Sequence, residues 1–267
     1  MGSRSVLVVG LATAVSLAAC NGTAPDMGTV VLRLTDAPNA EFESAKVWVS
    51  RAYLIGGTDS TGPQITITDT PAEYELLDLT NGVTALMGSA DVPLGTYTQL
   101  RLVVDSAKVT LKSPKMFSDG SSTKSMKVPS GQQTGIKVVF SGPVDVVPGE
   151  TILVVDFDVL RSFHHTGPSS SPTGMQFKPV LHATVQNIAA SIAGTVTPAS
   201  AKATLYAIRG GSTDTVATAL ADTVSGNYAL RFLPPDTYTV AVDGSGLTGT
   251  KTVTVGAGEN KTGVNFP

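Results

Sequence analysis

The chain has 267 residues, a formal net charge of −3 at pH 7 and only 15% charged residues. Typical globular chains carry about 25% charged residues, so this chain is unusually poor in charge. Its lysines and arginines are not clustered, which excludes the basic surface that nucleic-acid binding requires. The length suits one large domain or two ordinary ones.

The first twenty residues have the layout of a bacterial export signal. Arg4 supplies a single positive charge, and an apolar run over residues 6–19 follows it. This run is shorter than the roughly 18–20 residues of a membrane-spanning helix, so it does not predict a permanent anchor. Cys20, the only cysteine of the chain, comes directly after the run. We therefore expect a signal peptide over residues 1–19 and a short tether over residues 20–27.

The segment Leu17-Ala18-Ala19-Cys20 resembles the bacterial lipobox. This resemblance implies that diacylglycerol is joined to the Cys20 thiol, that the signal is cut before Cys20 and that the new amino group is acylated. Three acyl chains would hold the protein essentially permanently in a membrane. An aspartate after the cysteine often favours the inner membrane, and here that residue is Asn21, which implies the outer membrane or the cell surface. The alternative is a plain secretory signal that happens to precede a cysteine.

Beyond the tether, apolar and polar residues alternate with period two, which predicts β-strands. In the first block these cover residues 29–34, 45–54, 64–68, 74–79, 92–105, 109–112, 126–128, 136–140, 151–158 and 177–186. Residues 83–88 predict one helical turn. In the second block the strands cover residues 191–197, 203–208, 216–223, 228–232, 237–243, 251–255 and 262–266. No stretch keeps a helical period over three turns, so the sequence predicts an all-β fold of two consecutive β-sandwich domains, residues 28–187 and 188–267.

The two blocks contain a similar turn. In the first, Pro93 leads into Thr96-Tyr97-Thr98, and in the second, Pro234 leads into Thr237-Tyr238-Thr239. We expect each tyrosine to pack at a corner of its sandwich, as a feature of β-sandwich construction rather than a functional repeat.

The first block resembles the domain-of-unknown-function family 4382. The matching pieces, in order, are Leu34-Thr35-Asp36-Ala37-Pro38, Leu77-Asp78-Leu79-Thr80-Asn81-Gly82, Pro93-Leu94-Gly95-Thr96-Tyr97, Val128-Pro129-Ser130-Gly131, Asp156-Phe157-Asp158 and Phe177-Lys178-Pro179-Val180. The resemblance extends over residues 28–186, and it implies no activity.

The second block resembles the carboxypeptidase regulatory-like domain, a prealbumin-like sandwich that is grouped with carbohydrate-binding-like folds. The matching pieces are Ile192-Ala193-Gly194-Thr195-Val196, Ser225-Gly226-Asn227-Tyr228-Ala229-Leu230 and Leu233-Pro234-Pro235-Asp236-Thr237-Tyr238-Thr239-Val240. Asp236 stands where the family usually has glycine, and aspartate tolerates turn conformations. The resemblance implies an accessory module, and sugar binding only by analogy of fold.

Asp156 and Asp158 are candidate metal ligands because period two places both carboxylates on one face of a strand. With Asp36 or Asp105 nearby they could contribute to a Ca²⁺ site, which takes six to eight oxygen ligands. The alternative, which we prefer, is that they end a strand and accept hydrogen bonds from the backbone or from Arg161. The expected cofactor is therefore none.

Three histidines and the serines give no catalytic set. His164 and His165 lie in a predicted loop and His182 in a predicted strand, without the spacing of a metal-binding motif. No nucleophile, base and orienting residue can be assembled, so we expect no enzyme activity.

Aromatic residues on strands usually fill a sandwich, but some could contact a ligand. Trp48, Tyr53 and Tyr74 are the candidates in the first block. Trp48 lies on the face opposite Val47 and Val49, so it becomes the leading contact residue if the valines are buried.

Together these features predict a non-catalytic lipoprotein of the cell envelope that binds a partner, such as a carbohydrate or another envelope protein. The alternative is a structural or assembly component in which the second sandwich is a spacer or docking module. The expected partners are the membrane, through the lipid anchor, and a glycan or an envelope protein. Nucleic acid is not expected.

Overall fold

The computed structural model describes residues 26–36, 41–56, 62–128, 135–140, 142–168 and 170–267. Most of these residues lie in strands, which confirms the all-β class. The predicted signal peptide and Cys20 lie outside the described residues. Within the described part, no helix is long and apolar enough to cross a membrane.

Eleven strands of the first block, as far as the described residues go, form one sheet. Eight of them follow one another in the order β3-β2-β6-β8-β13-β10-β1-β5, with β4 paired to β2 and with β7 and β9 paired to β6. The strands are β1 (Met27–Asp36), β2 (Phe42–Gly56), β3 (Gln64–Thr68), β4 (Ala72–Glu75), β5 (Ala85–Pro93), β6 (Gly95–Leu111), β7 (Thr123–Lys127), β8 (Ile136–Phe140), β9 (Val144–Val146), β10 (Glu150–Phe157) and β13 (Leu181–Val185). A separate hairpin pairs β11 (Phe163–Thr166) with β12 (Gly174–Phe177).

The sheet is strongly curved, so that its two end strands, β3 and β5, lie against each other. Gly88 of β5 lies so close to Thr68 of β3 that a Cβ atom there would come within 2.7 Å of the Thr68 Cβ. The curled sheet encloses the first hydrophobic core, in which Leu32, Leu100 and Phe157 are fully buried.

Seven strands form the second sandwich, all within the described residues 190–267. One sheet has the order β17-β14-β20 and the other β16-β15-β18-β19. The strands are β14 (Ala190–Thr195), β15 (Thr204–Arg209), β16 (Thr215–Leu220), β17 (Asn227–Leu233), β18 (Asp236–Gly244), β19 (Leu247–Val255) and β20 (Asn260–Lys261). Ile192, Leu205 and Tyr238 fill a second core between the sheets. The boundary at residues 187 and 188 stays a prediction.

Local predictions fail where tertiary pairing overrides the pattern. Residues 83–88, predicted as a helical turn, run into β5, since β1 provides a pairing edge for them. Residues 74–79, predicted as one strand, divide into the end of β4 and a 3-10 turn, Leu76–Leu79. The last predicted strand, 262–266, is wrong: β20 ends before it at Lys261, and within it only Phe266 forms a bridge, with Val196.

The two similar turns form the same hydrogen bond. The Tyr97 hydroxyl donates to the Pro93 carbonyl at 2.9 Å, and the Tyr238 hydroxyl donates to the Pro234 carbonyl at 2.7 Å. Both tyrosines are buried, so each hydroxyl has its partner inside the protein rather than in solvent. These bonds fix the chain as it enters β6 and β18.

Replacing Tyr238 by phenylalanine should therefore destabilise the second sandwich. The substitution keeps the buried ring but leaves the Pro234 carbonyl without its donor, which costs about 1–3 kcal/mol. Far-UV circular dichroism in urea measures this loss. The control is Tyr74→Phe, at a half-buried tyrosine, which we expect to change stability by less than about 0.5 kcal/mol. Equal effects of the two substitutions would contradict the prediction.

Candidate functional site

Trp48 lies on the outer face of β2. Its neighbours Val47 and Val49 are 0% and 3% exposed and belong to the first core. Because successive side chains of a strand point to opposite faces, Trp48 points away from this core, and it is half-buried there. The condition that makes Trp48 the leading contact residue is therefore met.

Polar side chains surround Trp48 on the neighbouring strands. Trp48 is directly opposite Glu73 on β4 and Ser106 on β6, and Ser106 is opposite Lys127 on β7. Residues directly opposite each other share a face of the sheet, so these four form a row across four strands, called here the Trp48 row. Glu73 pairs with Lys46 at 2.6 Å. The row thus presents one indole ring among charged and hydroxyl groups.

The other two aromatic candidates do not join this row. Tyr53 is only 4% exposed and packs with Ile55 and Val103, while the Arg51 guanidinium lies 4.2 Å from the centre of its ring. Tyr74 is opposite Val47 and packs against the first core, where burial raises the pKa of its hydroxyl. Trp48 and Tyr74 are both half-buried, but of the two only Trp48 points away from the first core.

The second sandwich covers part of the first sheet. Leu153, Val155 and Phe157 of β10 face the first core, so Val154 and Asp156 face outward, yet Val154 is only 1% exposed. These outward residues, with His182 and Thr184 of β13, line a narrow gap against Val216, Phe232 and Pro234 of the second sandwich. We call this contact between the two sandwiches the seam.

Polar groups meet across the seam. The Arg161 Nη1 donates to the Thr215 carbonyl at 2.6 Å. His182 is directly opposite Asp156 on the neighbouring strand, and its Nε2 lies 3.8 Å from the Asp214 Oδ1, which is too far for a hydrogen bond. A part-buried hydrogen bond from Arg161 thus adds to the apolar packing between the two sandwiches.

A small cavity of about 20 Å³ lies in the seam beside Asp156. Thr35, Asp36, Asn81 and Thr218 also line it. The Asp156 Oδ1 and the Thr218 Oγ1 are buried and have no hydrogen-bond partner among the described residues. The cavity has room for about one water molecule, which would be the natural partner for both oxygens.

Burial changes the acidity of the groups in the seam. It raises the pKa of Asp156 well above the usual range of a carboxyl group, and the nearby Asp158 carboxylate adds to that rise. Burial likewise raises the pKa of Asp158, although its Oδ1 accepts a hydrogen bond from the Arg161 backbone at 2.9 Å. Burial lowers the pKa of His182, Arg161 and Arg209 act in the same direction, and Asp214 opposes them.

The three predicted metal ligands are only partly brought together. Asp36 and Asp156 line the same cavity, but Asp158 caps the helical turn Val159–Ser162 instead. Asp105 accepts a hydrogen bond from Ser50 on β2, away from the seam. Within the described parts of the chain, no group of three or more acidic, histidine or cysteine side chains is placed to hold a metal ion.

The segment with His164 and His165 is a strand, β11, and the prediction of a loop is wrong. The cause is its pairing with β12, which local sequence does not reveal. The His165 Nε2 lies 2.9 Å from the Glu41 Oε1, and the Lys115 Nζ lies 3.0 Å from the same oxygen. These groups form a local polar cluster on the first block.

Sequence reasoning did not identify the seam residues of the second sandwich. Asp214 and Thr218 lie in a part of the chain with no motif, and nothing in their spacing indicates that β10 and β13 lie opposite them. Phe232 has a positive φ of 54°, which is rare for a bulky residue, but only the structure reveals it. One signal in the sequence could have indicated the seam: Asp156 and His182 are ionisable residues within strands that are otherwise mostly apolar.

Acidification should weaken the seam through His182. A histidine whose pKa is lowered in the folded state stays neutral there, whereas the unfolded chain takes up a proton below about pH 6.5. Its contribution is therefore lost as the pH falls below that value. Urea unfolding of the wild type and of His182→Gln at pH 7.5 and 5.5 isolates this effect. All other titrating groups are present in both proteins, so the difference between them comes from His182. We expect the wild type to lose more stability than the variant, and an equal loss would contradict the assignment.

Comparisons with known proteins show one matching family and several solved structures of low similarity. The family model "Domain of unknown function (DUF4382)" matches residues 27–179. Among solved structures, the chain is similar to the Bacillus anthracis TIE protein, at 10% identity over 90% of this chain and 34% of that chain, with a TM-score of 0.25. The chain therefore spans about a third of the length of that protein. A search of curated proteins finds no match.

Two further structures come from surface appendages. The fimbrial anchor protein Mfa2 from Porphyromonas gingivalis is 10% identical over 85% of this chain and 82% of that chain, with a TM-score of 0.20. The major pilin protein (T-13) from Streptococcus pyogenes is 12% identical over 90% of this chain and 95% of that chain, with a TM-score of 0.16. Such low TM-scores carry no argument about function.

Proposed function

The chain belongs to the DUF4382 family, and from that premise we propose that it is a non-catalytic lipoprotein of the bacterial cell envelope with a binding role. Membership confers no activity by itself, so the proposal depends on the residues of this chain. The lipobox-like Leu17-Ala18-Ala19-Cys20 supports a lipid anchor, and Asn21 supports the outer membrane or the cell surface. The seven strands of the second block are in keeping with a carboxypeptidase regulatory-like module.

The burial of the seam supports a non-catalytic role. Asp156 and His182 are the pair best suited to acid and base chemistry, but the second sandwich covers both. The cavity beside Asp156 has room for about one water molecule and none for a substrate. An enzyme would need a larger concave pocket with convergent ionisable groups.

The observation that carries the binding role is the position of Trp48. An indole ring on the outside of a sheet, with Glu73, Ser106 and Lys127 in the same row, offers a stacking surface and hydrogen-bonding groups together. Such a surface suits the apolar face and the hydroxyl groups of a sugar. We therefore assign the Trp48 row as the contact surface, with a glycan as the favoured ligand.

Glycan-array binding of the soluble form, from Asn21 onward, tests this assignment. We expect binding by the wild type, a loss of at least about tenfold in Trp48→Ala and partial rescue in Trp48→Phe, which keeps an aromatic ring. Val224→Ala is the control, since Val224 is an exposed apolar residue, 89% accessible, on the second sandwich.

A different outcome would support the alternative function. If no glycan binds but an envelope protein co-purifies, and Trp48→Ala abolishes that association, the row is a docking surface of a structural or assembly component. If Trp48→Ala changes neither glycan binding nor association, the assignment of the row is overturned.

No cofactor belongs to this proposal. The two carboxylates at the seam cavity make a weak Ca²⁺ site, because in the part of the chain that the structure describes no three acidic, histidine or cysteine side chains are placed to hold a metal ion. Millimolar Ca²⁺ should therefore leave the thermal midpoint of the wild type unchanged. If Ca²⁺ instead raised the thermal midpoint of the wild type but not that of Asp156→Asn, the predicted group of Asp36, Asp156 and Asp158 would be identified as a metal site.

A further inference from the structure

A second cleft opens beside the seam cavity, with which it shares Asn81, Gly82, Arg231 and Phe232. It has a volume of about 260 Å³ and is built from four separate parts of the chain, residues 81–82, 186–191, 231–232 and Asn260. The Asn81-Gly82 turn comes from the first sandwich, and Gln186 comes from the link between the sandwiches. Arg231 and Phe232 come from β17 of the second sandwich. We call it the link cleft, and it exists only while the two sandwiches are in contact.

Arg231 is the charged residue of the link cleft. Its Cδ would lie 2.9 Å from a Cβ atom on Gly82, so the arginine stem packs directly on that glycine. Gly82 also has a φ of 88°, which favours glycine at this position. Among the described residues, the Arg231 guanidinium makes no ion pair or hydrogen bond. No carboxylate lines the link cleft, although Arg231 also borders the seam cavity that Asp36 and Asp156 line. The guanidinium is thus positioned by the turn while its donors stay available.

Amide and hydroxyl groups complete the lining. The Ser191 hydroxyl donates to the Asn260 Oδ1 at 2.7 Å, which fixes the orientation of the amide and leaves its NH₂ group free to donate. Asn81 and Gln186 add two further amides, and the Phe232 side chain adds an apolar surface. Side-chain amides form hydrogen bonds with hydroxyl groups, and a guanidinium binds a carboxylate. An aromatic ring packs against the apolar face of a ring-shaped ligand.

We propose that the link cleft binds a single sugar unit that carries a carboxylate, of the uronic acid type. The carboxylate pairs with Arg231, because a guanidinium binds carboxylates through two parallel hydrogen bonds. The amides bind the hydroxyls. The cleft volume of about 260 Å³ is slightly smaller than the roughly 300–1,000 Å³ of pockets for drug-sized ligands, so it suits a single sugar ring. This inference rests on the proposed binding role but uses a different part of the molecule from the Trp48 row.

Titration of the soluble form with glucuronate, galacturonate and glucose, followed by NMR or calorimetry, tests the proposal. The wild type should bind at least one uronate, and glucose at least about tenfold more weakly, because the charged pair is lost. Arg231→Gln should weaken uronate binding by a similar factor and abolish the preference over glucose. Lys251→Gln is the control, since its ammonium lies over Phe266, in the second core.

The same titration separates this proposal from the Trp48 assignment. Trp48→Ala should leave uronate binding unchanged if the link cleft is the site. If Trp48→Ala abolishes the binding and Arg231→Gln does not, the signal comes from the Trp48 row and the link-cleft proposal is overturned. Equal binding of uronate and glucose, or the absence of any uronate binding, overturns it as well, whatever the glycan array shows for Trp48.

Discussion

Replacing Asp156 by asparagine is expected to stabilise the protein at pH 8 and to have almost no effect near pH 4. Burial raises the pKa of this carboxyl in the folded state, so the unfolded chain ionises it at lower pH than the folded chain does. Stability from this group is therefore complete below about pH 4 and is lost as the pH rises toward the folded pKa. Asparagine does not ionise and avoids that loss, so we expect the variant to be more stable than the wild type at pH 8 by at least about 1.4 kcal/mol, the equivalent of one pKa unit.

Urea unfolding followed by Trp48 fluorescence at pH 4, 6 and 8 measures this difference, because Trp48 is the only tryptophan and lies in the first sandwich. Asp222→Asn is the matched control. The backbone and the hydroxyl of Ser225 lower the pKa of Asp222, so its contribution is present above about pH 4 and lost as the pH falls. This variant should therefore be destabilised at pH 8. If Asp156→Asn were destabilising by the same amount at every pH, Asp156 would be a satisfied structural group rather than a carboxyl with a buried, unpartnered Oδ1.

Replacing Phe157 by alanine should be among the most damaging single substitutions. Phe157 is fully buried at the end of β10, and its ring stacks on Phe177 with centroids 5.9 Å apart and an interplanar angle of 8°. Removing a buried phenylalanine side chain costs about 3–5 kcal/mol, a large part of a typical total stability of 5–15 kcal/mol. The same fluorescence assay measures the shift of the urea midpoint.

Phe140→Ala serves as the comparison for Phe157→Ala. Phe140 is only half-buried at the edge of the same core, so we expect less than half the loss. If the two substitutions had equal effects, the end of β10 would not be the well-packed position that the structure describes.

The class of fold and many strand positions could be predicted from the alternation of apolar residues. Residues 64–68 and 136–140 are strands within the predicted bounds, and the Tyr97 and Tyr238 corners have the packing that their turns suggested. These features depend on local pattern and on turn chemistry, which a single sequence contains. The strands β9 and β11 are not predicted from the sequence, because they are short and depend on pairing with other segments of the chain.

The candidate sites were predictable only in part. The alternation around Trp48 indicated its face, once the valines were known to be buried. The sequence predicts Asp156 as a metal ligand or, preferably, as a strand-end hydrogen-bond acceptor. It does not predict a buried carboxyl, because it does not reveal that the second sandwich packs on β10 and β13. The link cleft depends on the same contact, which brings residues 81, 186 and 231 together. Contacts between distant segments carry no periodic signal, so neither the seam nor the cleft follows from the sequence.

The seam has a consequence for how the protein is presented. Because the second sandwich packs beside β10 and β13 through Arg161 and His182, the two sandwiches form one unit rather than two independently swinging modules. If Cys20 carries the lipid, the tether of residues 20–27 holds this unit close to the membrane.

The most direct test of the central claim, that the protein is a lipid-anchored envelope component, is fatty-acid labelling of the wild type and of Cys20→Ser in bacterial cells. We expect the mature wild type to begin at Cys20, to incorporate labelled fatty acid and to require detergent for extraction, whereas Cys20→Ser should incorporate no label. A Cys20→Ser protein that is processed normally and stays bound to the membrane, or a wild type without label, would contradict it.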